Sequence, residues 1–324
     1  MPDSAKSNLR GAAFALAAFA LFALHDVVVK TLGADIATFQ IVFFSVLFSF
    51  PLVVLMLMRD PTHGTLIPVH PWWTALRTLA AIITGSTAFY AFTVLPLAET
   101  YAILFAAPLL ITVLSIPILQ ERVGPHRWGA VIVGLIGVMV VLRPFGGQLG
   151  WGHVAALTAA VCSALASIIV RKIGAEERSA VLLLYPMMAN FVVMAILLPF
   201  IYRPMDVEHL GLLGVMSALA FAAGLLVIAA YKAADAAIVA PMQYSQILWA
   251  AGYGLFFFGE TPDRLTVVGA GIIISSGLYI VLREVFGGTT RASPVLQTRI
   301  RHETGTSPRL GMLWMKQGKP GGQD

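Results

Sequence analysis

Long apolar segments separated by short polar breaks occupy the chain up to about residue 283. Continuous apolar runs of about 20 residues, rather than short alternating ones, favour membrane-spanning helices over the strands of a barrel. Water cannot satisfy peptide groups in the bilayer core, so each segment must form its hydrogen bonds internally. The pattern predicts an all-α polytopic membrane protein with ten transmembrane helices. We place them at about residues 11–32, 36–58, 72–95, 98–119, 127–143, 150–170, 181–202, 209–231, 236–258 and 264–283.

The chain contains an internal repeat. The segment Val27–Gly33 recurs 141 residues later as Ile168–Gly174, and Glu121 at the end of one apolar segment corresponds to Glu260. Each half holds five predicted spans. Because five is an odd number, the halves must insert in opposite orientation, which predicts two inverted five-helix repeats, an arrangement typical of secondary transporters. We assign the repeats to residues 11–143 and 150–283.

Composition and charge support a membrane protein and orient it. The chain is 58% hydrophobic and 11% charged, with a mean hydropathy of +0.85, against roughly 25% charged residues in a soluble domain. Of the 21 Lys and Arg residues, 17 fall on the side of the N-terminus and four on the other. The positive-inside rule therefore predicts a protein of the cell (inner) membrane with both termini in the cytoplasm. The four residues on the other side are Lys30, Arg143, Arg203 and Arg264.

The two ends of the chain are predicted to lie outside the bundle. Residues 1–10 form a short cytoplasmic N-terminus, and the apolar stretch after them is too long for a signal peptide, so we interpret it as a retained first span. Residues 284–324 lack apolar periodicity and predict a disordered basic cytoplasmic tail. The basic isoelectric point reflects this distribution of charge and does not indicate nucleic-acid binding.

Asp26 is the most informative charged residue of the apolar segments. It lies about 22 Å along the first predicted helix, beside His25, and Lys30 follows one turn later. A charge inside the membrane is costly, so it needs a partner or a function. One reading makes Asp26 and Lys30 an ion pair near the membrane boundary; the other makes Asp26, with His25, a substrate or proton site.

The ninth span carries a second group of polar and aromatic side chains. Helical phase places Gln243, Gln246 and Tyr253 roughly together, with Trp249 one turn from Tyr253. We predict that this face lines the interior of the bundle and binds a planar or amide-bearing solute. Hydrogen bonding between helices is the alternative. Tyr90 in the third span is a weaker candidate for the same site.

Three carboxylates lie at predicted helix ends. Glu99 opens the fourth span, where the helix dipole stabilises it; alternatively it faces the outer vestibule and attracts cations, with a coupling or gating role shared with Lys30. Glu121 and Glu260 occupy equivalent positions in the two repeats. Their symmetry favours a structural role, such as pairing with a neighbouring helix, over gating.

Several short motifs recur at matching places in the two halves or at span ends. They are Phe22–Lys30, Leu97–Ala102, Pro108, Gln120–Gly124, Gly134–Val138, Ala236–Pro241 and Phe258–Glu260. Together they resemble the EamA-type family of the drug/metabolite transporter superfamily, over residues 11 to about 283. The resemblance implies a permease for a small organic solute, such as an amino acid, riboflavin or S-adenosylmethionine, and is compatible with a homodimer packed through glycine-rich faces. Similar sequences often have an arginine early in the second span, where this chain has Ser45.

The sequence therefore predicts a secondary transporter that moves a small organic metabolite by alternating access, with riboflavin or an amino-acid-like solute as the leading candidates. An intramembrane enzyme and a non-transporting scaffold are the alternatives. The chain has no zinc-protease, phosphate-loop or nucleophile-elbow motif, and its histidines lack ligand spacing. We expect no catalytic residues, no cofactor and no metal site. The single cysteine, Cys162, is predicted to be a buried, inert residue.

Overall fold

A computed structural model describes residues 2–58, 66–121, 123–143, 149–234 and 236–286. Within these ranges the chain forms helices and no strands, which confirms the all-α prediction. The predicted tail beyond residue 286 lies outside the described residues. The helices are α1 Pro2–Leu32, α2 Thr38–Met58, α3 Pro71–Val94, α4 Leu97–Leu104, α5 Ala107–Leu119, α6 Pro125–Leu142, α7 Trp151–Ile173, α8 Ser179–Ile201, α9 Val207–Ala233, α10 Ala236–Met242, α11 Ser245–Phe258 and α12 Arg264–Phe286.

Eight helical segments among the described residues are long and apolar enough to cross a membrane. Most helix ends lie within three residues of the predicted ones, but α1 begins at Pro2 instead of residue 11. A shorter apolar helix covers Thr38–Pro51. The eight segments are Leu9–Leu32, Pro71–Val94, Leu97–Leu119, Pro125–Leu142, Trp151–Ile173, Ala180–Ile201, Val207–Ala233 and Arg264–Arg283.

Two of the predicted spans are interrupted, and the prediction of continuous helices was wrong there. The fourth span breaks at Phe105–Ala106, between α4 and α5, and the ninth breaks at Gln243–Tyr244, between α10 and α11. Pro108 explains the first break, because proline has no N–H to donate and its ring clashes with the carbonyl of Leu104. The two interruptions meet in space: the rings of Phe105 and Tyr244 lie 5.1 Å apart.

The halves of the chain interlock through matching helix pairs. α1 packs mainly on α9 and α7 packs mainly on α3, so the first helix of each half contacts the third helix of the other. The first helix of each half also contacts the fourth span of the other half, α1 on α11 and α7 on α5. The second helices pack on each other, α2 on α8, and so do the last ones, α6 on α12. These contacts place the two interrupted spans and the first helix of each half at the centre of the bundle.

Close packing of α6 on α12 depends on glycine. A Cβ atom on Gly269 would lie 2.7 Å from the carbonyl oxygen of Gly137, and one on Gly137 would lie 2.9 Å from the carbonyl oxygen of Gly269. Gly134 and Gly277 are also too crowded for a side chain. The lack of a side chain at Gly137 and Gly269 lets α6 and α12 approach closely. Gly129 and Gly271, in contrast, have no neighbouring atom within 4 Å of that position.

The first helix of one half ends where the first helix of the other begins. Lys30, near the end of α1, donates to the carbonyl oxygen of Leu95, and Gly152, near the start of α7, packs against the side chain of Leu95. We name this end of the bundle the Lys30 face. Arg171 lies twenty residues further along α7 than Trp151, or about 30 Å away at 1.5 Å per residue. We name that opposite end the Arg171 face.

Candidate functional site

A buried group of polar side chains lies between the two halves, at the level of the helix interruptions. His25 and Asp26 come from α1, Tyr101 from the first helix of the interrupted fourth span, and Gln246 from the first turn of α11, just after the second interruption. None of the four is more than 1% exposed. We name these four residues the Asp26 cluster.

A chain of hydrogen bonds joins the members of the Asp26 cluster. The hydroxyl of Tyr101 donates to Oδ2 of Asp26, and Nδ1 of His25 lies 2.6 Å from Oδ1 of the same carboxylate. Nε2 of Gln246 donates to the Tyr101 hydroxyl over 3.4 Å. Each oxygen of the carboxylate therefore has a partner. Polar groups buried in the membrane core are stable only when paired in this way.

Aromatic rings enclose the cluster. Phe92 and Phe105 flank the ring of Tyr101 at centroid distances of 5.2 and 6.1 Å, and Phe89 meets the imidazole of His25 edge-on at 6.1 Å. Tyr244 extends this surface beyond Phe105. A carboxylate surrounded by π-faces is a suitable environment for an organic cation, and the stacked rings suit a planar heterocycle.

Gln246 contributes an unused hydrogen-bond acceptor to the cluster. The amide oxygen of Gln246 is fully buried and accepts no hydrogen bond from any described residue. An unsatisfied buried acceptor costs roughly 1–3 kcal/mol. The oxygen is therefore available to a donor group on a bound molecule, and it lies in the same side chain that bonds to Tyr101.

The structure does not pair Lys30 with Asp26, so the ion-pair interpretation of these two residues was wrong. Lys30 instead forms an ion pair with Glu260, donates to the carbonyl oxygen of Leu95 over 2.6 Å and lies over the ring of Phe258. Helical spacing brings Lys30 within one turn of Asp26, but the tertiary fold offers a carboxylate from the other half. Asp26 instead bonds His25 and Tyr101.

Glu121 has an equivalent partner at the opposite face. Its two carboxylate oxygens each accept a hydrogen bond from one terminal nitrogen of Arg171. Arg171 is the residue of the second repeat that corresponds to Lys30. Each glutamate that we predicted to pair with a neighbouring helix therefore bonds a basic residue from the other half of the chain.

Glu99 lies at the Lys30 face, 2.9 Å from Nε2 of His153. Since Nδ1 of His153 accepts the N–H of Gly150, Nε2 carries the proton and donates to Glu99. The two residues line an open pocket of about 260 Å³ together with Pro96, Arg143, Asp263 and Thr266.

The same pocket contains an ion pair between Arg143 and Asp263. Partial burial of the Asp263 carboxyl raises its pKa, but the hydrogen bonds from Thr266 and the charge of Arg143 outweigh this and hold the pKa below its ordinary value. Asp263 is therefore ionised throughout the physiological pH range.

The predicted polar face of the ninth span is only partly realised. Gln246 belongs to the Asp26 cluster, but Gln243 lies in the interruption, so the helical phase that grouped it with Gln246 does not apply. Trp249 and Tyr253 stack on each other at 6.0 Å outside the cluster, and Trp249 is 37% exposed. Tyr90 in α3 is similarly exposed. The structure does not bring these three aromatic residues to Asp26.

Sequence reasoning missed Tyr101 as a member of the site. A tyrosine near the start of a span suggests an interface anchor, and only its contact with Asp26 reveals another role. Arg77 in α3 is also buried, at 3% exposure, and donates to the carbonyl oxygen of Leu182 in α8. Cys162 is only half-buried, in α7.

The fold and the buried site define a class of protein: a multi-pass membrane transporter made of two interlocked halves around a central polar site. A model of the EamA-like transporter family matches residues 9–143 and, again, residues 150–282. The chain belongs to this family and is a permease for a small molecule.

Individual proteins agree with this assignment. The chain is 28% identical to the S-adenosylmethionine uptake transporter of Rickettsia prowazekii over 285 residues, which cover 88% of this chain and 96% of the relative. It is 28% identical to the riboflavin transporter of Rhizobium johnstonii over 250 residues, covering 75% and 79%. A crystal structure of a protein 17% identical in sequence superposes with a TM-score of 0.52, over 82% of this chain and 96% of that one, which supports the fold.

Proposed function

We propose that the protein spans the membrane ten times, as two inverted five-helix repeats over residues 11–143 and 150–283, and works by alternating access. Beyond the eight segments described above, α2 and the interrupted pair α10–α11 supply the two further spans. The exchange of helix contacts between the halves supports this arrangement. Interrupted helices beside a central site are a recurrent feature of transporters built from inverted repeats.

The proposed orientation places both termini and the Arg171 face in the cytoplasm, following the distribution of basic residues. Reporter fusions after residue 286 test it. A green fluorescent protein fused there should be fluorescent, and alkaline phosphatase fused at the same point should be inactive. An active phosphatase at this position would reject either the orientation or the even number of spans.

We propose that the substrate is a metabolite that combines a cationic centre with a planar, amino-bearing ring, of the S-adenosylmethionine type. The carboxylate of Asp26 would bind the cation, and the rings of Phe92, Phe105 and Tyr244 would stack with the heterocycle. The unpaired amide oxygen of Gln246 carries the proposal, because it requires a donor such as a ring amino group. The solute crosses chemically unchanged, so the protein needs no catalytic residue.

Riboflavin is a second candidate. Its ring system suits the same stacked aromatic surface, and a riboflavin transporter is among the relatives. It has no cationic centre, however, and so makes no use of the Asp26 carboxylate. The two candidates therefore predict different responses to the charge of the ligand.

A thermal-unfolding panel on the detergent-purified protein separates the candidates. A ligand at about 100 times its dissociation constant adds roughly 2.7 kcal/mol to the free energy of unfolding. We expect a saturable rise in melting temperature with S-adenosylmethionine and a much smaller one with S-adenosylhomocysteine, which shares its ring and amino-acid part but lacks the sulfonium charge. Methionine serves as the control for the amino-acid part.

Other responses would change the assignment. An equal shift with S-adenosylmethionine and S-adenosylhomocysteine would exclude the sulfonium charge from recognition, because both compounds carry the same α-ammonium group. A shift with riboflavin alone would replace the substrate while keeping the site. If no compound of the panel stabilises the protein at millimolar concentration, the proposed substrate class is wrong.

A further inference from the structure

Two ion pairs join the halves of the chain in a symmetric manner. Lys30, at the end of the first helix of the first half, bonds Glu260 of the second half, and Arg171, its counterpart in the second half, bonds Glu121 of the first. Each pair therefore consists of a base from one repeat and an acid from the other. Exchanging the two repeats converts one pair into the other.

The backbone around the two glutamates is also equivalent. Each follows a residue in the left-handed conformation, Gln120 with φ 57° and Gly259 with φ 66°. The N–H of Glu121 donates to the carbonyl oxygen of Ser115, and the N–H of Glu260 donates to that of Gly254, in both cases six residues back. Both helices therefore end at a left-handed residue and are followed by the same backward hydrogen bond. The fold thus holds both carboxylates at helix ends in the same way.

The two pairs lie at opposite ends of the bundle, one at the Lys30 face and the other at the Arg171 face. The Asp26 cluster lies between them. Their side chains are buried to a similar degree, with exposures of 13% and 21% for Lys30 and Glu260, and of 10% and 20% for Arg171 and Glu121. Partly buried pairs are worth more than surface pairs but do not carry the full desolvation cost of buried ones.

From this arrangement we propose that the two ion pairs are reciprocal latches of the transport cycle, each closing one face while the other opens. The inference rests on the proposed alternating access. Each pair crosses the boundary along which the repeats would separate at its own face. Both pairs are formed in the structure, which corresponds to the state closed at both faces. Because the two open states compete in one equilibrium, weakening one latch favours the state open at that face and lowers the population of the state open at the other. A purely structural role for Glu121 and Glu260 makes a different prediction, since losing either pair would then loosen the bundle at its own end.

A single reporter cysteine distinguishes the two roles. Ala98 lines the pocket at the Lys30 face, is 6% exposed and follows Leu97, whose N–H donates to Glu260. Ala98→Cys is introduced in a Cys162→Ala background, and the protein is reconstituted in nanodiscs, where both faces are accessible. The rate of reaction with a charged maleimide then reports opening at the Lys30 face, with no substrate present.

The two latch variants should change this rate in opposite directions. We expect Glu260→Gln to raise the labelling rate of the cysteine about threefold or more, and Glu121→Gln, at the far face, to lower it by a similar factor. Glu208→Gln makes the same chemical change at an exposed carboxylate of the Lys30 face, in the first turn of α9, that joins no ion pair among the described residues. As the matched control, it should leave the rate unchanged.

Reversal of the charges provides a second test. Arg171→Glu combined with Glu121→Arg restores the far pair and should return the labelling rate toward that of the unmodified reporter protein. If Glu121→Gln does not yield a monodisperse protein, Arg171→Met removes the other partner of the same ion pair. The inference would be overturned if the two latch variants changed the rate in the same direction, if neither changed it, or if Glu260→Gln raised it while Glu121→Gln left it unchanged, which is the result expected of a purely structural role. Because no substrate enters this experiment, a wrong substrate class leaves its result unaffected.

Discussion

Replacing Asp26 with asparagine is expected to reduce transport about 100-fold or more while the protein still folds. Loss of one partner of a buried charge interaction costs roughly 2–5 kcal/mol, and 2.7 kcal/mol corresponds to a factor of about 100. The asparagine side chain keeps the shape of aspartate, and its amide oxygen can still accept the hydrogen bond from the hydroxyl of Tyr101. Initial rates of uptake into proteoliposomes, together with the melting temperature of the purified variant, measure the two effects separately.

Asp35→Asn is the matched control for this variant. It makes the same chemical change at a carboxylate that is 64% exposed and lies outside the Asp26 cluster. Uptake by this control should stay within about twofold of the unmodified protein, as expected for surface substitutions. Near-normal uptake by the Asp26 variant would exclude the carboxylate from the transport mechanism, and a large drop in its melting temperature would show that its role is structural.

Tyr101→Phe is expected to reduce transport about tenfold at low substrate concentration. The variant keeps the aromatic ring between Phe92 and Phe105 but removes the hydroxyl that donates to Asp26 and accepts from Gln246. A buried polar group left without its partner costs roughly 1–3 kcal/mol. A tenfold loss corresponds to about 1.4 kcal/mol, which lies within this range. Uptake measured over a range of substrate concentrations gives both the apparent affinity and the maximal rate.

Tyr244→Phe tests whether the loss is due to the hydroxyl of Tyr101 in particular. The ring of Tyr244 packs on Phe105 in the same aromatic group, but its hydroxyl forms no hydrogen bond in the part of the chain that the structure describes. Transport by this variant should fall less than about twofold. Equal losses in the two phenylalanine variants would mean that the hydroxyl bonded to Asp26 has no special role.

The sequence singled out a residue of the buried Asp26 cluster where that residue was unusual for its surroundings. Asp26 and His25 were recognised because a charged and a titratable side chain interrupt an apolar span, which is costly wherever the chain folds. Gln246 was recognised for a similar reason. Tyr101 was not, because tyrosine is common at the ends of spans and only its position opposite α1 gives it a role.

Contacts between distant segments could not be predicted in the same way. Spacing along one helix makes Lys30 a neighbour of Asp26, yet the fold pairs it with Glu260, far along the chain. The repeat identified Glu121 and Glu260 as equivalent positions but left their partners undetermined. Helical phase also failed for Gln243, because a periodicity argument assumes a continuous helix and this one is interrupted.

The sequence by itself determined that this is a helical membrane protein with two related halves, and it identified Asp26 as the costly charge within them. These properties follow from local hydropathy and from internal similarity, which need no knowledge of the fold. Only the tertiary structure decided which side chains meet: Tyr101 and Gln246 at Asp26, and one basic residue from each half at the glutamate of the other. The physical reason is that hydrogen bonds and ion pairs depend on distances of about 3 Å, and those distances are set by how the helices of the two halves cross.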